Sequence, residues 1–463
     1  MNNQSDQEHR ATHSSPARDG FASSLGAVAV TLASAVGLGN IWKFPALAGQ
    51  NGGAAFVLLY LVCVAGVGIP VLMAELLLGR MAKANAVAAF KKLAPGKPWY
   101  LIGFGGVLAA VVIMAYYSDV AGWVYFYTFK ALTGGLSVSA AETGRIFDAT
   151  VASPGSSLIW QWIVLTVTTG IVVMGVSKGI ERVVKRLMPL LLVLLLICDL
   201  RALSLPGARD GLAFLFSPDL SKITGTVVLT ALGLAFFKLS LGMGTMLTYG
   251  SYMSESQSIP GTAVKVAITD TLVSLLAGVA IFPAVFAFGY EPTAGASLLF
   301  ITIPAVFASM PFGGVFTFLF FLLTAIAATG AMLSLIEVPV AFLAESFGWS
   351  RRKAGFASAG AMALLGIPAT LSTSTLSSVQ VFGMTFFDLF DFLSSNILLP
   401  VGGIAIAVFV GWFWSKEKFL IAAGNDGKLA NRPAINVMHG LLRFVTPVAV
   451  TIILLNGLGV FTL

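Results

Sequence analysis

Three ionisable side chains stand deep inside apolar runs: Lys238, Asp270 and Asp119. An isolated charge at the middle of a bilayer costs at least ~3 kcal/mol on insertion scales, so such a residue marks a site or has a partner. Two further runs carry chemistry through the backbone. Ser34-Ala35-Val36-Gly37-Leu38-Gly39-Asn40 and Leu239-Ser240-Leu241-Gly242-Met243-Gly244 each place two glycines one residue apart amid small or polar residues. Such pairs weaken a helix. Unwound backbone is tolerated at membrane depth only where it is buried or lines a cavity. That chemistry is binding, not bond-making. His9, His13 and His439 lie away from the centres of apolar segments. Cys63 and Cys198 read as small packing residues, with no disulfide framework or metal site. No nucleophile–base pair or metal triad supports an enzyme.

The elements that must position these groups are membrane helices. Of 463 residues, 57% are hydrophobic and 10% charged, against about 25% charged in soluble domains. The mean hydropathy is +0.92. Lipid is the solvent for most of such a surface. With about 20 apolar residues per crossing, hydropathy predicts about eleven segments: 22–47, 54–80, 99–131, 158–176, 180–204, 224–254, 259–289, 312–344, 352–371, 383–414 and 438–461. Residues 1–17 are polar, lack the apolar core of a cleaved signal peptide and read as a disordered cytoplasmic tail. Residues 18–463 form a single membrane domain.

Lysine and arginine set the orientation. Arg80, Lys83, Lys91, Lys92 and Lys97 follow segment 2, and Lys178, Arg182, Lys185 and Arg186 lie between segments 4 and 5. Arg351, Arg352 and Lys353 follow segment 8, and Lys416, Lys418, Lys428 and Arg432 follow segment 10. These alternate loops share one side, the cytoplasm of a cell inner membrane. The N-terminus is then inside and the C-terminus outside. The net charge of +7 follows from this topology and calls for no nucleic acid.

The two glycine-bearing runs could serve close helix packing through small residues. Their spacing favours another use. They fall five segments apart, at matching places in two five-segment halves, about 18–205 and 222–415, with an extra helix at about 438–461. Interrupted helices in corresponding positions point to an inverted-repeat transporter whose site lies at the midplane.

The residues around these runs resemble the neurotransmitter:sodium symporter (solute carrier 6) family, which includes the bacterial leucine transporter. The likeness is carried by Ala35-Val36-Gly37-Leu38-Gly39-Asn40-Ile41-Trp42-Lys43-Phe44-Pro45 with Asn51-Gly52-Gly53, and by Gly68-Ile69-Pro70 with Glu75 and Gly79-Arg80. Tyr116-Tyr117, Ser177 to Arg182, Ser240 to Gly244, Thr248 to Tyr252, Glu337-Val338-Pro339 and Asp388 to Asp391 continue it in order. The resemblance implies an all-α fold with a five-plus-five inverted repeat and broken helices 1 and 6. It also implies alternating access and, usually, sodium-coupled uptake of amino acids or amines.

Carried over residue by residue, the resemblance implies a site for a zwitterion. Amides at Leu38 and Gly39 and the Tyr117 hydroxyl would meet a carboxylate, helped by a half-helix N-terminus. Carbonyls near Ala35, Phe237 and Ser240 would meet an ammonium. Ile113, Phe237, Met243 and Leu335 would surround the side chain. Lys43 with Asp391 forms an expected outer gate, and Arg18 with Glu345, near Tyr252, an inner one. Glu75 is expected to bond the unwound part of segment 6.

The departures from the family pattern fall at its ion sites. At the first sodium site, Ala35 and Asn40 remain, but Lys238 stands where Thr is usual and Asp270 where Asn is usual. Leu234 replaces a usual Gln, Ser274 takes a place that differs with chloride dependence, and Tyr60 of the chloride site remains. Chloride is not expected. Lys238 and Asp270 are expected to pair, with the ammonium where sodium would sit. It would bind a solute carboxylate and repel sodium, since like charges at ~4 Å in low dielectric repel by several kcal/mol. At the second site Ala33, Val36 and Ala327 keep their carbonyls, while Gly330 and Ala331 replace a hydroxyl pair. Thr329 substitutes only if the helix shifts register. Asp119, roughly 200° around the helix from Tyr117, is a proton-linked group or a partner for another helix.

The expected function is secondary transport of a neutral amino acid or similar small zwitterion, with altered ion coupling that is sodium-independent or proton-linked. No organic cofactor is implied. An ordinary sodium symporter is the alternative within the class; a channel or non-transporting sensor is the alternative outside it. Paired gates favour alternating access over a pore. Substrate identity and oligomeric state are not legible in these residues.

Overall fold

The computed structural model describes residues 19–136, 140–289, 298–425, 427–429 and 431–461. Arg18 and the tail at 1–17 lie outside the described residues. The described chain is helical, and its long apolar helices run in this order. They are α1 (Ser24–Ala35 and Gly39–Gln50), α2 (Ala54–Ala82), α3 (Tyr100–Leu132), α4 (Pro154–Val172), α5 (Val176–Leu203), α6 (Gly225–Lys238 and Thr245–Ser251), α7 (Ile259–Ala287), α8 (Gly313–Phe347), α9 (Arg351–Thr373), α10 (Phe386–Phe413) and α11 (Arg432–Gly457). Eight are long and apolar enough to cross a membrane as single helices. The two pieces of α1 meet at 52°. The pieces of α6, 14 and 7 residues long, are each too short to cross alone. α5 ends in a sharp turn of 117° onto the short helix Ala208–Phe216.

The eleven expected segments are present, with shifted ends that have local causes. α4 begins at Pro154, which is preorganised for a first helical turn. Gly175, at φ 101°, separates it from α5 in a conformation other residues avoid. α11 begins earlier than expected because Pro433 also opens a helix. Short helices such as Ala86–Leu93 and Lys416–Ala423 decorate the ends.

α3 is the central post, packed against α8, α4 and α9. The inner half of α6 lies on α2 at backbone contact. A methyl at Gly79 would sit 1.9 Å from the Leu247 carbonyl oxygen, and one at Gly250 would sit 2.3 Å from that of Leu76. Outward-facing Leu101, Leu108, Val193, Leu200 and Leu364 are exposed, as helices solvated by lipid require. Several charged-type side chains are instead enclosed, among them Glu75, Asp119, Lys238, Asp270 and Glu337.

Candidate functional site

The breaks in α1 and α6 arise from the two glycine runs. α1 ends at Ala35, Val36 turns extended at φ −77° and ψ 98°, and helix resumes at Gly39. In α6 the chain takes left-handed angles at Ser240 (φ 53°), Gly242 (76°) and Gly244 (74°). Gly242 also leaves no room for a side chain, since a Cβ there would lie 2.5 Å from the Leu399 carbonyl. The freed groups find partners. Gly242 N–H donates to Glu75 Oε1 at 2.7 Å, as expected of Glu75. Ser240 Oγ donates to the Ser34 carbonyl at 2.7 Å and ties the two breaks together. Leu38 N–H donates to the Tyr117 hydroxyl at 3.1 Å. That leaves the Tyr117 proton free to donate onward.

A cavity of about 30 Å³ lies between the breaks. Of the expected substrate residues, Ala35, Gly39, Ile113, Tyr117, Phe237, Lys238, Ser240, Met243 and Leu335 line it. Leu38 lies beside it and lines a larger vestibule of about 280 Å³ with Gly39, Tyr117 and Phe237. Ser334 also lines the cavity. It lies one residue before Leu335, and sequence reasoning missed it.

Lys238 and Asp270 are paired. Lys238 Nζ lies 2.9 Å from Asp270 Oδ2, with both side chains fully enclosed. The ammonium also donates to the Tyr60 hydroxyl at 3.0 Å and to Ser274 Oγ. Its three protons are therefore spent on protein oxygens, and it faces the rings of Tyr60 and Phe44 at 4.8 and 5.1 Å. This corrects one expectation: direct donation from Lys238 to a solute carboxylate does not fit. Asn40 closes the group. Its Nδ2 donates to Asp270 Oδ1 at 2.7 Å and to Ser274 Oγ at 3.0 Å, while its Oδ1 accepts from Gly37 N–H. The first sodium position therefore does not fit a metal ion, because a protein ammonium stands among its donors.

The second position lacks side-chain oxygen. Gly330 faces Ala33, and a Cβ there would lie 3.0 Å from the Ala33 carbonyl oxygen. Ala331 and Ala327 lie against Gly37. Thr329 is no substitute. Its hydroxyl accepts or donates with Tyr125 at 2.6 Å and donates to the Ala325 carbonyl at 2.7 Å. Carbonyls at Ala33, Val36 and Ala327 remain the only expected donors, a set that does not fit sodium well.

The outer gate differs from expectation, and the inner one rests on Arg18, outside the described residues. Lys43 and Asp391 line the same vestibule but do not pair. Lys43 Nζ sits over the Phe237 ring at 4.1 Å, and Asp391 accepts from Tyr116 at 3.1 Å and Ser395 at 2.9 Å. The outer passage above Phe237 is thus not latched by charge. On the face bearing the basic loops, Glu345 accepts from the Asn85 backbone at 2.7 Å. Tyr252 donates instead to Glu337 at 2.7 Å, and Arg351 grips the same carboxylate with two nitrogens. Phe21 N–H donates to the Tyr252 carbonyl and its ring packs edge-on to Tyr249 and Tyr252. This side is shut. Glu337 was legible only as a family match, and its Arg351 partner was read as a topology charge.

Comparison with known proteins follows the same lines. The model of the "Sodium:neurotransmitter symporter family" matches residues 18–153 and 145–462. The chain is 40% identical over 443 residues to a sodium-dependent transporter, YhdH, of Bacillus subtilis, covering 96% of this chain and 98% of that one. It is 35% identical to a sodium-dependent transporter of Haemophilus influenzae, covering 95% and 98%. The crystal structure of MhsT in complex with L-phenylalanine superposes with a TM-score of 0.88 at 44% identity, covering 95% of this chain and all of that one. The chain is thus a multi-pass membrane transporter, not an enzyme, and it belongs to the sodium:neurotransmitter symporter family.

Proposed function

We propose that the chain carries a small neutral amino acid across the cell inner membrane by alternating access, with its basic loops in the cytoplasm. The cavity between the two breaks supports this reading. Gly39 and Tyr117 offer polar hydrogens at one end, the Ser240 break offers carbonyls, and Ile113, Met243 and Leu335 make an apolar end. MhsT, a relative at 44% identity, holds L-phenylalanine. The domain plan follows: a tail at 1–17, repeats at about 18–205 and 222–415, and an extra helix near the end.

We further read the ion coupling as altered. The single observation that carries this is the Lys238 ammonium, held at 2.9 Å from Asp270, where the first sodium would lie. The hydroxyl-free second position adds to the same reading. The competing reading is an ordinary sodium symporter, favoured by relatives that are named sodium-dependent.

Proteoliposomes loaded with unlabelled amino acids test both parts. Saturable counterflow of a labelled amino acid in choline buffer is the expected result. Uptake that absolutely requires sodium overturns the coupling, and unsaturable flux overturns the carrier.

A further inference from the structure

Asp119 lies outside the site described above and is fully enclosed. Neither of its carboxyl oxygens has a partner in hydrogen-bonding geometry among the described residues. Its surroundings converge from three helices. Thr370 of α9 stands beside it, with a hydroxyl that is likewise unpartnered. Gln161 of α4 reaches along the same level. Its backbone meets α3 at Gly122, where a Cβ would lie 2.9 Å from Gln161 N. Its amide nitrogen donates to the Ala115 carbonyl at 3.2 Å and to Ser118 Oγ at 3.1 Å. Ala115 and Gly122 bracket Asp119 by one turn on either side. The Gln161 amide oxygen is likewise without a partner among the described residues.

The donor beside the carboxyl is the neutral Thr370 hydroxyl, which brings no counter-charge. The cluster is also tightly shut. Gly122 and Gly366 bring α3, α4 and α9 together, and a Cβ at Gly366 would lie 2.2 Å from Gln161 Nε2 and 2.8 Å from the Ala115 carbonyl. Among the described residues no basic side chain is paired with it. α4 has no titratable residue at all. On α9 the basic residues are Arg351, Arg352 and Lys353 at its far start, with Arg351 on Glu337. On α8 the acids are Glu337 and Glu345 in the same far half, and on α10 Asp391 is turned to Tyr116 and Ser395. Lys91 and Lys92 of the short helix Ala86–Leu93 lie beyond the start of α3, and Lys130 lies at its other end. An ionised carboxylate buried with no counter-charge is strongly disfavoured. One proton neutralises the carboxyl and needs no extra room.

We propose that Asp119, with Thr370 beside it, is a reversible proton-binding site of the carrier. Asp119 holds the proton as a carboxylic acid while α3, α4 and α9 are closed on it. Separation of those helices admits water and lets the proton leave. Two residues away on the same helix, Tyr117 holds Leu38 of the broken α1, so movement of α3 is felt at both places. The use of this proton for coupling rests on the carrier proposed above, whose sodium positions are filled or stripped; the protonation itself does not.

Two measurements on the full-length chain test the proposal. Infrared difference spectra of wild type minus Asp119→Asn report the acid directly. A protonated-carboxyl band at neutral pH that moves on deuteration is expected. A carboxylate band there overturns the proposal, and one that shifts on adding sodium assigns the cluster to a metal cation instead. Uptake of a labelled mixture of amino acids into sodium-free proteoliposomes, with an acid-outside gradient, reports the use. The gradient should stimulate wild type and leave Asp119→Asn, a neutral isostere, at its gradient-free rate. Equal stimulation of both reduces Asp119 to a structural acid and overturns the role. No uptake by wild type in any sodium-free buffer refutes the sodium-independent coupling alone, since the infrared band still decides the proton site.

Discussion

Lys238 Nζ and Asp270 Oδ2 meet at 2.9 Å in a place where neither side chain touches solvent. Tyr60, Ser274 and Asn40 supply the remaining hydrogen bonds. Breaking such a pair from one side leaves an uncompensated buried charge, which costs ~3–5 kcal/mol. Lys238→Met and Asp270→Asn should each lower thermal stability in detergent by that order. The double variant should recover most of the loss, because no lone charge remains. Equal and additive losses would mean the two residues do not act as a pair.

The Lys238→Thr, Asp270→Asn double variant should also acquire a sodium response. Sodium at ~100 times its dissociation constant stabilises a folded protein by ~2.7 kcal/mol. A sodium-dependent rise in melting temperature, absent in potassium and absent in wild type, is the expected outcome.

How much of this was legible beforehand divides by physical cause. The broken helices were legible because two such glycine runs fall at matching places five segments apart. The charged pair was legible because membrane burial forbids a lone lysine. The gates were not. Lys43 and Asp391 carry complementary charge, but their pairing depends on the state of the passage, and here each has a nearer partner in Phe237 and Tyr116. The Arg351–Glu337 grip joins α9 to α8, and a residue counted in a basic loop gives no sign that it turns back into the bundle. Ser334 escaped notice because the carry-over named only its neighbour.

Arg351 holds the face with the basic loops shut. Replacing it by Gln leaves Glu337 with Tyr252 alone and favours opening. A reporter cysteine at Met253, which is fully buried, should then be labelled by a membrane-impermeant reagent from that face about tenfold faster, for a shift of ~1.4 kcal/mol between closed and open forms. An unchanged labelling rate would remove Arg351 from the gate.

Tyr117 accepts from Leu38 N–H and keeps its own proton, which the proposed site offers to a substrate carboxylate. A hydrogen bond to a charged group contributes ~1.5–3 kcal/mol. Tyr117→Phe should therefore weaken amino acid binding by about 10- to 100-fold, read by scintillation proximity or calorimetry, with little change in fold by circular dichroism.

Equilibrium binding of a labelled amino acid to the purified wild-type chain, titrated with sodium chloride against choline chloride at constant ionic strength, asks most directly whether the Lys238 ammonium has replaced a bound sodium. An affinity that stays flat as sodium replaces choline, beside an affinity that rises with sodium in Lys238→Thr, Asp270→Asn, is the predicted result. A wild-type affinity that climbs steeply with sodium through two bound ions would contradict it.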